Sequence, residues 1–279
     1  MKKSTKVIIG IITTAMLGFI LFIVFSFYGN PVSWYLTSKN AEKYISENYT
    51  NTDYVVSNVY YDFKTGGYYA YIESPSSPDS YFSLSAGLNG KIAFDTYESA
   101  VLGKWNTASR ISTEYFNKTS GILSRDDFPY NQHIAYGEIY FVESGTPVGE
   151  DIPDYALSTA DLVLDGVYDI GELGAKSGKL TVYIYDEDIS VERLAEILLG
   201  IKQFLNDNGV TFYAIDCVLE YPKPEDENAP WKEGRTEVMN FLCEDIYEEG
   251  LVERVRDSDE KAKEYWAQQD KLLEEKPIS

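Results

Sequence analysis

The sequence predicts an α+β protein, with one N-terminal transmembrane helix followed by two small α+β domains. Three observations carry that prediction. Residues 7–28, VIIGIITTAMLGFILFIVFSFY, hold no charged side chain. A helix rises only ~1.5 Å per residue, so about 20 apolar residues cross a bilayer core. Downstream, strand-like runs rich in β-branched and aromatic residues are followed by helical periodicity, and this happens twice. The charge is also uneven. Residues 29–128 hold 8 bases and 11 acids, whereas 129–243 hold 7 bases and 22 acids. The expected organisation is a cytoplasmic tail and signal anchor over 1–28, an N-terminal α+β domain over 29–125, and an acidic C-terminal α+β domain over 130–279.

The apolar segment comes first in the chain. Lys2, Lys3 and Lys6 precede it, and no acid occurs before Glu42. Basic residues stay on the cytoplasmic side, so the N-terminus is expected inside and the long C-terminal part outside. A cleaved signal peptide has a core of about 7–15 residues and a small-x-small site. This core is longer, and it ends on the large residues Phe25, Phe27 and Tyr28. No Cys lies near its end to serve as a lipoprotein site. Tyr28 and Trp34 suit an interfacial aromatic belt.

The first domain follows directly. Asn30-Pro31 pairs a good N-cap with a residue suited to the first helical position. Val32 to Tyr49 then reads as an amphipathic helix, with Trp34, Ala41, Tyr44 and Ile45 set among Lys39, Glu42, Lys43 and Glu47. Four strands are expected next: Tyr54–Phe63, Tyr68–Glu73, Ser80–Ser85 and Lys91–Tyr97. Gly66-Gly67, the loop 74–78 and Asn89-Gly90 separate them. A helix with Val101, Ala108, Ile111 and Tyr115 on one face closes the order α-β-β-β-β-α. Short connections imply an antiparallel meander covered by helices.

Gly121 to Pro129 reads as a junction. Ile134–Val142 is a strand, and 144–161 a loop. A short strand or turn near Leu162–Leu164 and a short helix from Ile170 to Lys176 follow. Lys179–Tyr185 is a strand. Ser190 caps a helix with Leu194, Leu198, Ile201 and Leu205 at helical spacing, and Gly209 sits at its end. Thr211–Tyr221 and Thr236–Cys243 are strands flanking a proline-rich loop at 222–234. A charged helix from about Tyr247 to Leu273 is expected to break near Asp257-Ser258. The order β-(α)-β-α-β-β-α suggests a ferredoxin-like α/β plait.

No set of residues in the sequence assembles a catalytic, cofactor or metal site. His133 is the only histidine, and it sits at the junction, read as a plain strand-edge or loop residue rather than a base. Gly174-Ala-Lys-Ser-Gly-Lys179 imitates a phosphate loop. Leu173 stands where its first glycine belongs, and Leu180 where a Mg²⁺-binding hydroxyl belongs. Asp186-Glu187-Asp188 precedes a helix, where carboxylates suit the dipole. It lacks the spacing of a calcium loop. Cys217 and Cys243 fall on two strands around one loop. An antiparallel pair centred near residue 230 would set them opposite each other, so a disulfide and two packed thiols both stay open. The matches at Asn48–Thr50 and Asn117–Thr119 to a glycosylation pattern are read as chance. The tyrosines suit half-wet strands; a carbohydrate-stacking face is the lesser reading.

Two stretches carry a resemblance. GNPVSWYLTSKNAEKYISENY (29–49) with YVVSNVYYDFKTGGYYAYIESPSSPDSYFSL (54–84) resembles the N-terminal domain of the YfjL-like family, uncharacterised membrane-anchored proteins of Gram-positive bacteria. LDGVYDIGELGAKSGKLTVYIYDEDISVERLAEILLGIKQF (164–204) with FYAIDCVLEYPKPED (212–226) is similar to the family's C-terminal domain. The resemblance implies one anchor, two domains and a cell-envelope location. It brings no functional residue with it.

The functional expectation is a cell-membrane protein, single-pass, with its soluble domains extracytoplasmic, acting as a binding or interaction module at the bacterial envelope. Partners are the membrane, through the N-terminal helix, and an envelope protein. Nucleic acid is excluded by the net charge of −21. A carboxylate-based envelope enzyme is the first alternative. A regulator or assembly factor for another membrane protein is the second.

Overall fold

The computed structural model describes residues 3–143, 145–147, 152–224, 230 and 232–274. Lys2 and parts of the expected loops 144–161 and 222–234 lie outside them. The chain divides into two compact units. Unit 1 comprises residues up to Thr107 together with Leu162–Gly166. Unit 2 comprises Ala108–Asp161 and the chain from Val167.

Unit 1 begins with α1, Lys3–Tyr28. Its described side chains, from Val7 onward, are all exposed. It is long and apolar enough to cross a membrane. Gly29, with φ of +73°, ends it. A side chain there would meet the Tyr61 ring and the Tyr68 hydroxyl, so glycine is required for both the turn and the close approach. Asn30 then caps α2, Pro31–Asn48, its side chain accepting from the Ser33 amide at 2.8 Å. Pro31 occupies the first turn, where its missing N–H is harmless.

The inward stripe of α2 is Ser33, Thr37, Ala41 and Ile45. It lies on a four-stranded antiparallel meander in the order β1-β2-β3-β4. The strands are β1 Val55–Asp62, β2 Gly67–Ser74, β3 Ser77–Ala86 and β4 Ile92–Asp95. Alternation sends Ala70, Ile72, Phe82 and Leu84 inward onto Ala41 and Ile45. It sends Tyr60, Tyr69, Tyr71 and Tyr81 to the other face, where Tyr60 stacks on Tyr69. The expected meander is therefore present. Val101 lies in a π-helical turn, Glu98–Leu102, and not in the helix expected to hold it. Gly103 and Lys104, the latter with φ of +58°, separate that turn from α3, Trp105–Leu123.

Unit 2 takes most of α3. Its sheet order is β10-β9-β8-β5, built from β5 Gln132–Ile139, β8 Gly178–Tyr185, β9 Ala214–Glu220 and β10 Arg235–Leu242. Two short strands, β6 Phe141–Val142 and β7 Leu157–Ser158, pair with each other. The helices are α4 Ile170–Ser177, α5 Val191–Asp207 and α6 Leu251–Glu274. Leu194, Leu198, Ile201 and Leu205 of α5 are buried with Leu180, Val182 and Ile184 of β8 and with Ile215, Cys217 and Leu219 of β9. The Ser190 side chain accepts from the Arg193 amide, and Gly209 takes φ of +66°, the expected start and stop of α5.

Two finer expectations fail here. The order is sequential, not the interleaved order of a ferredoxin-like plait. Such a plait splits each of its two βαβ units with a strand of the other, so that its neighbouring strands are all antiparallel. In this four-stranded sheet β8 and β9 pair directly in parallel, across α5, whereas β5 with β8 and β9 with β10 are antiparallel. The expected break in α6 is also absent. Asp259 instead faces inward, its carboxylate accepting from the Glu237 amide of β10 at 3.0 Å, and that contact lies one residue beyond Ser258 on an unbroken helix.

Candidate functional site

A groove in unit 1 lies between the C-terminal end of α2 and the start of β1. It measures about 660 Å³, within the range of small-ligand sites, and opens widely to solvent. Ile45 and Val56 form its apolar wall, Tyr49 and Tyr54 its aromatic floor, and Glu42, Ser46 and Thr52 its rim.

The floor is part of an aromatic cluster of Tyr49 just after α2, Tyr54 just before β1, Phe82 on β3 and Tyr97 just before the π-helical turn. Tyr49 lies 4.7 Å from Tyr97, 5.1 Å from Phe82 and 5.7 Å from Tyr54, ring centre to ring centre. Asp95, the last residue of β4, holds the cluster at its polar edge. Its Oδ2 accepts from the Tyr44 hydroxyl at 2.6 Å and the Tyr49 hydroxyl at 2.9 Å. Its Oδ1 accepts from the Tyr97 amide at 3.0 Å. The bond to Asp95, with burial, pushes the Tyr44 phenol up to about 12. Burial, then the same carboxylate, raises Tyr49, and burial raises Tyr54. These phenols are neutral donors at neutral pH. The floor therefore offers ring faces and hydroxyls, not a base. Outside the groove lining, Asp53 accepts from the Ser74 hydroxyl and the Ser76 amide, and these serines hold its carboxyl below the usual range.

His133, the glycine-containing stretch 174–179 and the acidic run 186–188 lie elsewhere, in unit 2. His133 sits in β5, where the ladder to β8 is bulged. Its ring stacks on Tyr185 at 4.0 Å, and its Nε2 lies 3.3 Å from Glu220 Oε1. Gly174 and Gly178 lie against the Tyr115 ring. Lys179 pairs with Asp216 at 2.7 Å. The false phosphate loop is thus the end of α4 running straight into β8. Asp186 binds Arg193 at 2.9 Å, and the Asp188 carboxylate accepts from the Ser190 amide; the Ser190 side chain first, and then this amide, lower its pKa.

Both cysteines are free thiols. The expected opposition fails on register. Cys217 faces Val238, and the Cys243 amide donates to the Tyr213 carbonyl, four residues farther along. The ladder centres near residue 228 rather than 230. Among the described residues, no three His, Cys, Asp or Glu side chains converge as a metal site would require.

Sequence reasoning missed Asp95 and its tyrosines. Tyr44, Tyr49, Tyr54 and Tyr97 read individually as strand or helix-face residues. Only the fold brings the Tyr44 and Tyr49 hydroxyls and the Tyr97 amide to one carboxylate.

Comparison with known families matches two domains in the order the chain carries them. Residues 4–96 match the YfjL-like, N-terminal domain, and residues 114–256 match the YfjL-like C-terminal domain. No curated protein and no solved structure matches the chain.

Proposed function

For this chain, which belongs to the YfjL-like family, we propose a membrane-anchored interaction module at the bacterial cell envelope. In it, α1 is the retained anchor, the N-terminus is cytoplasmic, and both units are extracytoplasmic. The basic residues before the apolar run 7–28 and the lack of an acid before Glu42 support that orientation. The observation that carries the reading is the pairing of an apolar helix exposed along its described length with an aromatic groove in the domain directly attached to it.

The groove suits an apolar or aromatic side chain of a partner protein, presented beside a hydrogen-bond acceptor that the tyrosine hydroxyls meet. The reading as an enzyme gains no support at this site, where the single carboxylate lining the groove is Glu42, on an exposed helix face.

A photo-crosslinking amino acid placed at Thr52 in intact cells tests the reading. A discrete protein adduct is expected. Val55→Glu, at the groove wall, should abolish it, and a probe at Asp126 in unit 2 should not give it. Identical adducts from both positions, or persistence in Val55→Glu, would sink the assignment of the groove. Orientation has its own check. External protease should remove residues 29–279 from cells whose wall admits it; a protected C-terminal part would reverse the topology.

A further inference from the structure

We propose that unit 1 is not only tethered to the bilayer but seated in it, through an apolar collar around the exit of α1 that inserts into the phospholipid interface. The collar consists of Val32, Tyr35 and Leu36 on α2, Phe63 at the β1–β2 turn and Leu88 at the β3–β4 turn. This rests on the reading of α1 as the anchor.

The first argument is position. No flexible stalk separates α1 from the domain. The Tyr61 hydroxyl donates to the Ser26 carbonyl at 3.3 Å, inside the last turn of α1. The Tyr68 hydroxyl meets the Asn30 amide at 2.5 Å. The Phe27 and Phe63 rings lie 6.0 Å apart. The Ser33 hydroxyl donates to the Leu88 carbonyl, and Gly90 lies so close to Leu36 that no side chain fits between them. Both turns are therefore held beside the first turns of α2. Wherever the end of α1 lies, the collar lies beside it.

The second argument is chemistry out of place. Turn tips ordinarily carry Gly, Asn, Asp or Ser. Here Phe63 is 56% exposed and Leu88 65% exposed at two such tips, and Val32 is 67% exposed. Neither tip residue belongs to the core clusters.

The third is a gradient along one helix. The outward residues of α2 are apolar or aromatic through Leu36 (Val32, Trp34, Tyr35, Leu36). From Lys39 onward they are Lys39, Glu42, Lys43, Ser46 and Glu47. The inward stripe does not change in step, since Ser33, Thr37, Ala41 and Ile45 are all buried. A helix solvated along its whole length has no reason to switch its outer face. A helix leaving a bilayer does, and the switch spans about 5 Å at ~1.5 Å per residue, comparable to the interfacial layer. Exposed Lys64 and Lys91 flank the two apolar tips, where phosphates would lie above an inserted Phe or Leu.

The test uses the full-length protein reconstituted in vesicles of phosphatidylcholine and phosphatidylglycerol. These contain a phospholipid with a diazirine near the glycerol end of one acyl chain. Lipid adducts are expected on peptides spanning 32–36, 60–64 and 86–91, as well as on α1. The Ser74–Ser77 turn and Asn51–Asp53 should stay unlabelled. Leu36→Asn/Phe63→Asn/Leu88→Asn should still float with the vesicles while losing most adducts at Val32 and Tyr35. Flotation with labelling confined to α1 overturns the collar and leaves the anchor standing. Failure to float overturns the anchor and the collar together. A Phe63 peptide cross-linked to protein in place of lipid would assign the face to a second copy of the chain.

Discussion

Tyr115 shows how a single side chain organises unit 2. It is buried, and its hydroxyl donates to the Thr211 carbonyl at 2.9 Å. Three glycines from three segments make room for its ring: Gly137 on β5, Gly174 in α4 and Gly178 at the start of β8. A Cβ on Gly178 would lie within 2.7 Å of the Tyr115 Oη and Cζ atoms. Gly178→Ala is therefore expected to lower stability by about 1–3 kcal/mol through overpacking, read as the urea midpoint of the detergent-solubilised protein. Gly121→Ala, with open space around it on α3, should be neutral or stabilising. The thiols make a second residue-scale case. Burial pushes Cys217 up to about 12, and Cys243 is only half-buried. One thiol should react with a maleimide in the native protein and both after unfolding; two fast native reactions would contradict the burial of Cys217. None of the pairing at this scale was legible in the sequence. Gly174 and Gly178 imitated a phosphate loop and Gly137 sat within a strand run, because Tyr115 is distant from them along the chain. The cysteines looked matched, because a shift of about two residues in the centre of the loop sets Cys217 against Val238, five residues short of Cys243.

Among the elements, the sheet edges show what the helices do beyond covering a core. An exposed edge strand invites pairing with another chain. In unit 2, β10 and β5 are the edges. Asp259 of α6, 3% exposed, takes the Glu237 amide on β10 and pairs with Lys263 at 2.5 Å. Thr119 of α3 accepts from the Gly137 amide on β5 at 2.9 Å, and the Ser112 hydroxyl donates to the Ile139 carbonyl at 3.4 Å. Asp259→Ala strands a buried N–H, so a loss of about 1–3 kcal/mol is expected. Lys263→Ala, which touches the same carboxylate from solvent, should cost less than about 1 kcal/mol. Urea titrations of the two variants would separate them, and equal losses would show that the ion pair, not the edge contact, matters. Elements of this kind were the legible level. The span of α1, the caps of α2 and α5 and the four-strand meander all follow from local spacing. The strand order of unit 2 does not, because the helical pattern of α4 looks the same whether or not its helix crosses the sheet.

For the molecule as a whole, the notable feature is how many protons the folded state holds against alkali. Burial raises the phenols of Tyr49, Tyr115, Tyr140 and Tyr155 above their ordinary value of 10.0. The bond to Asp95 raises Tyr44 to about 12, and burial raises Cys217 to about 12 from 9.0. Each group has a folded pKa above its unfolded one. Between the two values the folded state binds more protons, so stability falls as pH rises. The contribution is fully present below about 9 for the thiol and about 10 for the phenols, and it is lost progressively above. The two carboxyls held low, Asp53 and Asp188, are exposed and supply only a weak acid limb. The melting temperature should therefore be nearly flat from pH 6 to 8 and drop steeply above pH 9–10. Tyrosinate absorbance should develop in step with unfolding. Self-repulsion makes a rival cause, because the net charge is already −21 and each ionised phenol adds to it. Salt distinguishes the two. Repulsion between exposed charges is screened within about 10 Å at 0.1 M salt, whereas the desolvation of a buried phenol is not. If the alkaline drop survives the addition of salt, buried protons cause it. If salt abolishes it, surface charge does.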